Sequence, residues 1–467
     1  MNFVPFIRRI KSSAFFPLLL GLMWNGAFVY LFLNFHPEII ISDTPISRDP
    51  ASLGASVILG TAANFKEVGF MLSLSAFYGI LSMLQFLIQY FASNTYLTRE
   101  LLALEKNNNR VQSILKNKTI VIVVPCFNEN PILLKKSLES CMAAEFEGRK
   151  YISVIDDKST RNIEELEEVF KWAESLGVHV FRKNINEGKR KAQKLAFDHY
   201  EGKVDYYVTI DSDTVLFKDA LTEISVKLLE HPRNAAGSGE VLAYNPDVNF
   251  LTKLIDCRYW SAFNLERASQ AQFGSMFCCS GPFSIYRARI IDKVKEKYVT
   301  QKFFGIECTY GDDRHLTNLV LGEGLRVVYA PSAKALTEVP ETFSQFIKQQ
   351  IRWNKSFYRE IFFTPFVKRK SLYLCFELGC QLILPILLLI SLVSSIYHGF
   401  FVDHTYAWIH LWWFVLVAFI KTGPGFVRTL SSRFLIFPLY AIIHLSLLVP
   451  VRIYAILTIN DGKWGTR

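Results

Sequence analysis

The chain has 467 residues, which is longer than one average domain, and 51% of them are hydrophobic. A mean hydropathy of +0.20 excludes an ordinary soluble protein and predicts a soluble domain combined with membrane segments. A formal net charge of +10 would suit nucleic acid, but the sequence contains no nucleic-acid-binding motif. Because the positive charge flanks apolar blocks, the predicted partners are anionic lipid headgroups and a phosphorylated substrate, and no nucleic acid.

The eight cysteines do not predict a zinc site. None of them forms a C-x-x-C pair, and no histidine cluster in the sequence completes a set of metal ligands. We therefore expect reduced thiols, as in a cytosolic or membrane setting.

Residues 1–95 are predicted to form an N-terminal membrane region with two transmembrane helices. The first apolar run, from about Phe15 to Phe35, is longer than a signal peptide usually has and lacks a small-residue cleavage site, so we expect a retained anchor. The second span runs from about Val68 to Phe91. Residues 36–67 carry few basic side chains, whereas many follow the second span. The positive-inside rule therefore places the N-terminus and a linker of residues 96–118 in the cytoplasm.

Residues 119–340 are predicted to be a cytosolic α/β domain. The run from Thr119 to Pro125 is almost continuously β-branched, as in a buried strand of a parallel sheet. Helix-period segments separate it from three further predicted strands at Tyr151–Ile155, Val178–Arg182 and Tyr206–Ile210. Carboxylates follow two of these strands, so the sequence predicts an open sheet with its ligand at the carboxyl ends of the strands.

Residues 341–370 are predicted to form amphipathic helices at the membrane interface. Apolar residues recur every four positions at Phe343, Ile347 and Ile351. A basic stripe accompanies them: Lys348, Arg352, Lys355 and Arg359.

Residues 371–459 are predicted to be a C-terminal membrane region, followed by a cytosolic tail of residues 460–467. The apolar blocks run from about Leu372 to Tyr397, Tyr406 to Ile420, and Phe434 to Leu457. The 398–405 loop has no lysine or arginine and is expected outside the cell. The last block has basic residues at both ends and two internal prolines, which favours an interfacial or broken segment over a simple span.

Two motifs in the α/β domain are suited to a nucleotide diphosphate. Asp211-Ser212-Asp213 directly follows a strand, where two carboxylates can hold a hard divalent cation that also bridges a diphosphate. The alternative is a solvated acidic turn. Asn186-Glu187-Gly188-Lys189-Arg190 joins a loop to a helix N-terminus, which favours phosphate. The alternative there is a flexible surface turn.

Three later stretches are candidates for the chemistry and for acceptor binding. Asp312 and Asp313 can provide a general base, because close carboxylates raise one pKa; the alternative is a surface ion-pair cluster. Arg352 and Trp353 can contact pyrophosphate and stack on a sugar or base; the alternative is an interfacial anchor. The tight turn at residues 278–282 can line an acceptor site.

Taken together, the motifs resemble the processive family-2 glycosyltransferases, and most closely the class I hyaluronan synthases. The resemblance covers about residue 119 to the end of the chain. The motifs that carry it are, in order, Val124-Pro-Cys-Phe-Asn-Glu129, Asp156-Asp157-Lys-Ser159, Asn186-x-Gly-Lys-Arg190, Asp211-Ser-Asp213, Ser280-Gly-Pro282, Gly311-Asp-Asp-Arg-His-Leu-Thr-Asn318, Gln349-x-x-Arg-Trp353 and Trp464-Gly-Thr-Arg467. The segment from Phe277 to Pro282 is also similar to nodulation-type chitin oligosaccharide synthases.

The resemblance implies a glycosyltransferase A-type, Rossmann-like domain on an α-helical transmembrane base. It also implies roles for individual residues. Asp313 would be the catalytic base of an inverting transfer, and Asp211 and Asp213 would bind Mg²⁺ or Mn²⁺, with Asp213 favoured. The implied UDP-sugar-binding residues are Asp156, Lys189, Arg190, Asp211, Arg352, Trp464 and Arg467. The implied acceptor-binding residues are Ser280, Gly281, Pro282, Gln349 and Trp353.

The function implied is hyaluronan synthesis from UDP-glucuronic acid and UDP-N-acetylglucosamine, with export of the nascent polysaccharide through the chain's own membrane helices. The protein would be a multi-pass plasma-membrane protein, monomeric for function, with a cytoplasmic catalytic domain. An alternative with the same chemistry is a chitin (oligo)saccharide synthase that uses UDP-N-acetylglucosamine only. An alternative of another class is a non-catalytic polysaccharide-binding or export protein, which would not need Asp211, Asp213 and Asp313 together.

Overall fold

The computed structural model describes residues 70–104, 113–363, 371–401 and 404–461. The chain divides into two compact units, one of Met1–Phe91 with Cys375–Val449 and one of Ala92–Leu374 with Pro450–Arg467. The predicted anchor at residues 15–35 and the tail residues Trp464 and Arg467 lie outside the described residues.

The second unit is built on an eight-stranded sheet with the order β3-β2-β1-β4-β7-β6-β10-β5. Its strands are β1 Thr119–Cys126, β2 Arg149–Asp156, β3 His179–Arg182, β4 Tyr206–Ile210, β5 Val215–Leu216, β6 Asn234–Ala243, β7 Phe283–Arg287 and β10 Arg326–Thr337. A separate hairpin consists of β8 Lys302–Phe303 and β9 Ile306–Glu307.

One long helix precedes these strands and belongs to the first unit as far as Phe91; the other helices connect the strands or follow the last of them. In chain order the helices are α1 Phe70–Leu104, α2 Pro131–Ala143, α3 Ile163–Ser175, α4 Lys189–Tyr200, α5 Ala220–Leu229, α6 Phe250–Ser261, α7 Ala268–Gln272, α8 Ala288–Val299, α9 Asp312–Gly322 and α10 Phe343–Ile361. A π-helical turn, Ala262–Arg267, joins α6 to α7. The alternation of strands and helices confirms the predicted α/β domain.

Strand β1 lies in the middle of the parallel part of the sheet. It pairs in parallel with β2 and β4, and its residues from Ile120 onward are buried, as its unbroken apolar run predicts. The register sets Cys126 of β1 opposite Asp156 of β2, so both strands end at one edge. Strand β4 ends nearby at Ile210, immediately before Asp211.

The sheet is not wholly parallel, and this differs from the simple alternation in the sequence. Strand β7 runs antiparallel to both of its neighbours, β4 and β6. The chain leaves β6 through α6, the π-helical turn and α7, and then returns through the turn at residues 278–282. This return brings that turn to the same edge as the end of β4.

In the C-terminal part of the described chain, α11 spans Leu372–Phe401 and α12 spans His404–Thr429. Two described helical runs are long and apolar enough to cross a membrane, Leu372–Tyr397 and Arg433–Leu457. The predicted span at residues 406–420 lies inside α12, which is not one of those two. The predicted loop at 398–405 is wrong for most of its length, because α11 continues to Phe401 and α12 begins at His404.

The last apolar run is helical but irregular. It consists of α13 Arg433–Ile436, a 3₁₀ turn Phe437–Leu439, α14 Tyr440–Ile443, a π-helical turn His444–Leu448 and α15 Val449–Leu457. The 3₁₀ turn contains Pro438, and the π-helical turn ends just before Pro450. Proline has no backbone N–H and disturbs the i→i−4 ladder, so the predicted break in this segment is present as local irregularity.

Candidate active site

The site is centred on Lys189, the first residue of α4. Its Nζ lies 2.6 Å from Oδ1 of Asp211 and 2.8 Å from Oδ2 of Asp312. One ammonium group therefore joins the carboxylate that follows β4 to the first carboxylate of α9. These two attractions outweigh burial, which alone would lower the pKa of Lys189, and they hold that pKa well above its usual value. The two carboxylates therefore stabilise the charged form of Lys189.

The loop that delivers Lys189 is fixed by Asp157. The Asp157 carboxylate accepts hydrogen bonds from the backbone N–H groups of Glu187 (3.1 Å) and Gly188 (2.6 Å). It also forms a buried ion pair with Lys183 at 2.7 Å. Gly188 adopts φ +91, which favours glycine. Asp157 thus shapes the start of α4, a role that the sequence analysis did not assign to it.

Asp156, at the end of β2, lies in a polar turn beside the end of β1. Its carboxylate accepts from the Ser159 hydroxyl (2.6 Å) and from the Ser159 backbone N–H (3.1 Å). The Ser159 hydroxyl oxygen in turn accepts from the backbone N–H of Asn128 at 2.8 Å. Asp156 therefore lies at the predicted edge of the sheet, and its role in binding the UDP-sugar stays a prediction.

The two carboxylates at the start of α9 have opposite pKa shifts. Burial raises the pKa of Asp312, but the Lys189 charge and hydrogen bond, with Arg190, outweigh it and leave that pKa below its ordinary value. For Asp313, burial and the charge of Asp312 raise the pKa, against Arg314 and Lys189. One acid is held ionised and its neighbour becomes the stronger base, which is the division that a general base with a supporting partner requires.

Gly311 allows this helix start to lie close to α10. It adopts φ +77, and a Cβ at this position would collide with the side chain of Ser356. The backbone of residue 311 therefore needs glycine for two separate reasons, its left-handed conformation and the close approach of α10.

The turn at residues 278–282 closes the site on a third side. The Cys278 thiol donates to Oδ2 of Asp313 at 3.5 Å, while the Arg314 backbone N–H donates to Oδ1 at 2.8 Å. Burial and the Asp313 charge raise the pKa of Cys278 to about 12, so the thiol remains a donor. At Gly281, a Cβ would lie 3.3 Å from Oδ2 of Asp211 and 3.5 Å from Nζ of Lys189.

The structure therefore brings together six of the residues that the sequence analysis selected, and it also brings in Cys278. The six lie in three groups: the Asp211–Lys189–Asp312 bridge, Asp313 beside it, and the turn with Ser280 and Gly281. Ser280 is buried, and its backbone N–H donates to Ser238 Oγ at 3.1 Å. The third turn residue, Pro282, is partly exposed.

Arg190 follows Lys189 in the sequence motif, but its side chain contacts different residues. Its guanidinium is buried and donates to Gln301 Oε1 (2.7 Å) and to the Tyr310 carbonyl (3.0 Å). The side chain fixes the segment that leads into α9. Its predicted nucleotide contact stays a prediction, and the structure gives it this supporting contact in addition.

The predicted metal ligands fit a divalent ion that arrives with a diphosphate. Asp213 is partly exposed and accepts from Thr337 Oγ1 at 3.3 Å, and Asp211 already attracts the Lys189 cation. Within residues that the structure describes, no group of three or more His, Cys, Asp or Glu side chains forms a complete cage. Mg²⁺ is commonly held by one or two carboxylates together with substrate phosphates, so two carboxylates can be enough, and metal binding by Asp211 and Asp213 stays a prediction.

Helix α10 carries the other predicted site residues. Gln349 and Arg352 are partly buried and Trp353 is 43% exposed. The basic stripe predicted on this helix is wrong at its C-terminal end, because Lys355 and Arg359 are buried.

These two buried cations bind the end of the described chain. Arg359 donates to the carbonyls of Ile459 (2.9 Å) and Asp461 (3.1 Å), and Lys355 lies 3.6 Å from the Asp461 carboxylate. Tyr310 also donates its hydroxyl to the Asp461 carbonyl at 2.8 Å. The i, i+4 spacing of basic residues could not distinguish a solvated stripe from a buried binding face.

Two buried acids were missed in the sequence. Glu360 lies 3.0 Å from His315 Nδ1 and accepts from Gln301 (2.5 Å) and Asn318 (2.8 Å), so it ties α10 to α9. Burial raises the pKa of Glu360, but His315 and these donors leave it below its ordinary value. Glu129, after β1, accepts from the Ser212 hydroxyl at 2.5 Å inside the Asp211–Asp213 motif. Its place at the end of a buried strand was the available signal.

Comparison with known proteins defines the family. The model of glycosyl transferase family 2 matches residues 121–295. An N-acetylglucosaminyltransferase of Mesorhizobium japonicum is 32% identical over 352 residues, which covers 75% of this chain and 82% of that relative. The chain belongs to glycosyltransferase family 2. A second relative, an N-acetylglucosaminyltransferase of Sinorhizobium fredii, is 33% identical over 355 residues, which cover 75% of this chain and 84% of that relative.

A solved structure agrees with the fold of this family-2 glycosyltransferase. A mannosyltransferase from Pyrobaculum calidifontis, in complex with GDP-Man and Mn²⁺, has a TM-score of 0.52 at 14% identity, covering 83% of this chain and 99% of its own. The predicted glycosyltransferase A-type, Rossmann-like fold is therefore confirmed. The narrower resemblance to hyaluronan synthases is not shown, because these relatives are named N-acetylglucosaminyltransferases.

Proposed function

We propose that this family-2 glycosyltransferase transfers N-acetylglucosamine from UDP-N-acetylglucosamine to the end of a growing sugar chain at a membrane. The observation that carries the chemistry is the Lys189 bridge between Asp211 and Asp312, with Asp313 beside it as the stronger base. The choice of sugar rests on the relatives of 32–33% identity, which are named N-acetylglucosaminyltransferases. This is the alternative that the sequence analysis left open.

In the proposed reaction, Asp313 Oδ2 accepts the proton of the acceptor hydroxyl as its oxygen attacks the anomeric carbon of the donor. The bond from that carbon to the UDP oxygen breaks, and UDP leaves with the bonding electron pair. A single displacement of this kind inverts the configuration. The Arg314 backbone N–H and the Cys278 thiol keep the Asp313 carboxylate oriented.

Charge balance at the donor is provided by residues around Asp211. A Mg²⁺ or Mn²⁺ ion held by Asp211 and Asp213 would neutralise charge on the leaving diphosphate. Lys189 holds Asp211 and Asp312 in place at the same edge of the sheet, and Gly281 leaves room above them. The donor contacts of Asp156, Arg190 and Arg352, and the acceptor contacts of Gln349 and Trp353, are part of this proposal.

The membrane setting is supported by the two apolar helical runs Leu372–Tyr397 and Arg433–Leu457. A cytoplasmic catalytic unit follows from the distribution of basic residues along the sequence. Hyaluronan synthesis is the second candidate, and the sequence Gly311–Asn318 with the Trp464–Arg467 ending favours it.

The test is polymer synthesis by the purified protein in proteoliposomes. The protein would receive Mg²⁺ or Mn²⁺ and radiolabelled UDP-N-acetylglucosamine, with and without UDP-glucuronic acid. A chitinase-sensitive product from the single donor supports the proposal. A product that needs both donors and is cut by hyaluronidase would change the proposed product to hyaluronan and leave the proposed mechanism unchanged. Absence of product, with Asp313→Asn equally inactive, favours the non-catalytic alternative.

A further inference from the structure

The hairpin formed by β8 and β9 presents an aromatic side chain at its tip. Lys302 pairs with Glu307 and Phe303 with Ile306, so the two-residue loop is Phe304-Gly305. Phe303 is buried, whereas Phe304 is 78% exposed.

Phe304 is unfavourable at this position for two independent reasons. Its φ is +47 and that of Gly305 is +82, the combination that two-residue hairpins normally fill with Asn-Gly or Asp-Gly. A bulky aromatic residue in the left-handed region is a steric outlier, and outliers of this kind persist where function requires them. Exposure of a phenyl ring to water adds a second cost. A small polar residue at position 304 would avoid both the steric cost and the cost of exposure. The presence of an aromatic ring there therefore indicates that the ring contacts a partner.

The base of the hairpin is rigid, which makes the tip a fixed projection. Cys308 donates its backbone N–H to the Gln301 carbonyl at 3.1 Å. The Gln301 side chain accepts from Arg190 and donates to Glu360, both buried. The ring of Phe303 lies 5.5 Å from that of Phe362, at the end of α10. Phe362 is 58% exposed, and Ile306 is exposed as well, so the tip is part of a larger apolar surface.

Short stretches of sequence connect this apolar surface with both candidate membrane spans. After Phe363 the chain reaches Leu372, the start of the first span, within about 30 Å of extended chain. The second span ends at Leu457, and Arg359, on the same last turn of α10 that leads to Phe362, binds the carbonyl of Ile459. The sequence between Phe363 and Leu372 also contains Lys368-Arg369-Lys370, which suits anionic headgroups.

We propose that the β8–β9 hairpin is a membrane-contacting element in which Phe304, with Ile306 and Phe362, enters the interfacial layer of the bilayer. The partner is lipid, with aromatic and aliphatic side chains among the acyl chains and basic residues at the headgroups. The contact would fix the distance of the segment 301–310 from the bilayer. This segment leads directly into Gly311 and the carboxylates of α9. This inference concerns the membrane and is independent of which sugar is transferred.

Photo-crosslinking in a bilayer tests the proposal on the full chain. The photoreactive residue p-benzoylphenylalanine would replace Phe304 in protein reconstituted into phosphatidylcholine–phosphatidylglycerol nanodiscs. The same residue at Ile386, 60% exposed on α11, is the positive control, and at Ile163, 59% exposed at the start of α3, the negative control. We expect the yield of lipid adduct at 304 to be about tenfold above that at 163 and comparable to that at 386.

Two outcomes overturn the proposal: adducts at 386 but none at 304, and adducts from 304 to residues 364–370 or to a second copy in place of lipid. A second measurement does not depend on the photoreactive group. Phe304→Trp should gain a fluorescence component, relative to the wild type, that brominated lipid quenches, whereas Ile163→Trp should not. Equal quenching of the two would also reject the lipid contact. Sugar transfer measured on the same samples separates this result from failure of the proposed function.

Discussion

Replacing Lys189 with methionine tests whether one cation holds the site together. The substitution keeps most of the side-chain volume but removes the ammonium that bridges Asp211 and Asp312. Removing one partner of a buried ion pair costs about 3–5 kcal/mol, and we expect the low end of about 3 kcal/mol because Asp211 is partly exposed. The matched control is Lys191→Met, since Lys191 is 43% exposed and its pair with Glu187 contributes at most about 1 kcal/mol.

The loss of folding stability in Lys189→Met should depend on pH in a defined direction. In the wild type, the Asp312 pKa lies below its ordinary 3.8, so this carboxylate stabilises the fold above that pH and the contribution is lost as the pH falls through the folded pKa. In Lys189→Met, burial is no longer opposed by the ammonium and is opposed mainly by the weaker attraction of Arg190, so the Asp312 pKa rises relative to the wild type. The variant should then recover part of its deficit as the pH is lowered from 7 to 5.

Urea unfolding of the purified protein, followed by tryptophan fluorescence at both pH values, measures this free energy of unfolding. The reasoning is refuted if Lys189→Met and Lys191→Met have the same stability at pH 7. A deficit of Lys189→Met that does not shrink at pH 5 would reject the assigned cause, although not the contact itself.

Three further predictions concern the same site. Asp313→Asn should lower kcat by about 10²–10⁴-fold with little change in donor KM, and in the wild type activity should fall as the pH drops through the raised pKa of Asp313; an unchanged kcat would reject the base. Gly311→Ala should destabilise the protein by more than about 1 kcal/mol in urea unfolding because of its φ and Ser356, whereas Gly322→Ala, where a Cβ meets open space, should not. Thorough chelation should abolish transfer and donor binding measured by calorimetry, and Mn²⁺ or Mg²⁺ should restore both; activity that survives would reject the Asp211 and Asp213 assignment.

The sheet edge was predictable because strand composition and strand-end carboxylates are local signals. The run Thr119–Pro125 is apolar enough to predict a central strand, and at the same edge Asp156 ends β2 and Asp211 follows β4. The antiparallel course of β7 was not predictable, because direction depends on how the long connection of α6, the π-helical turn and α7 packs rather than on the five residues of the strand.

The supporting residues of the site could not be found by local pattern. Lys189 and Arg190 are neighbours in one motif, but successive residues of a helix point in different directions. Lys189 therefore contacts the carboxylates of Asp211 and Asp312, whereas Arg190 donates to the carbonyl of Tyr310. Arg359 was predicted to belong to a basic stripe on an interfacial helix, although it is buried and donates to the carbonyl of Ile459, a hundred residues further along. Contacts between distant segments decide such roles, and a single sequence does not reveal them.

The bonds from Arg359 and Tyr310 to residues 459 and 461 have a consequence for biosynthesis. The catalytic unit is discontinuous in the chain, since it takes its last contacts from the stretch that follows the final apolar helix. During translation the sheet can form early, but the segment before Gly311 is completed only when almost the whole chain has left the ribosome. A nascent or truncated polypeptide without residues 459–461 lacks the partners of Arg359 and Tyr310, so α10 and the residue before Gly311 lose these contacts.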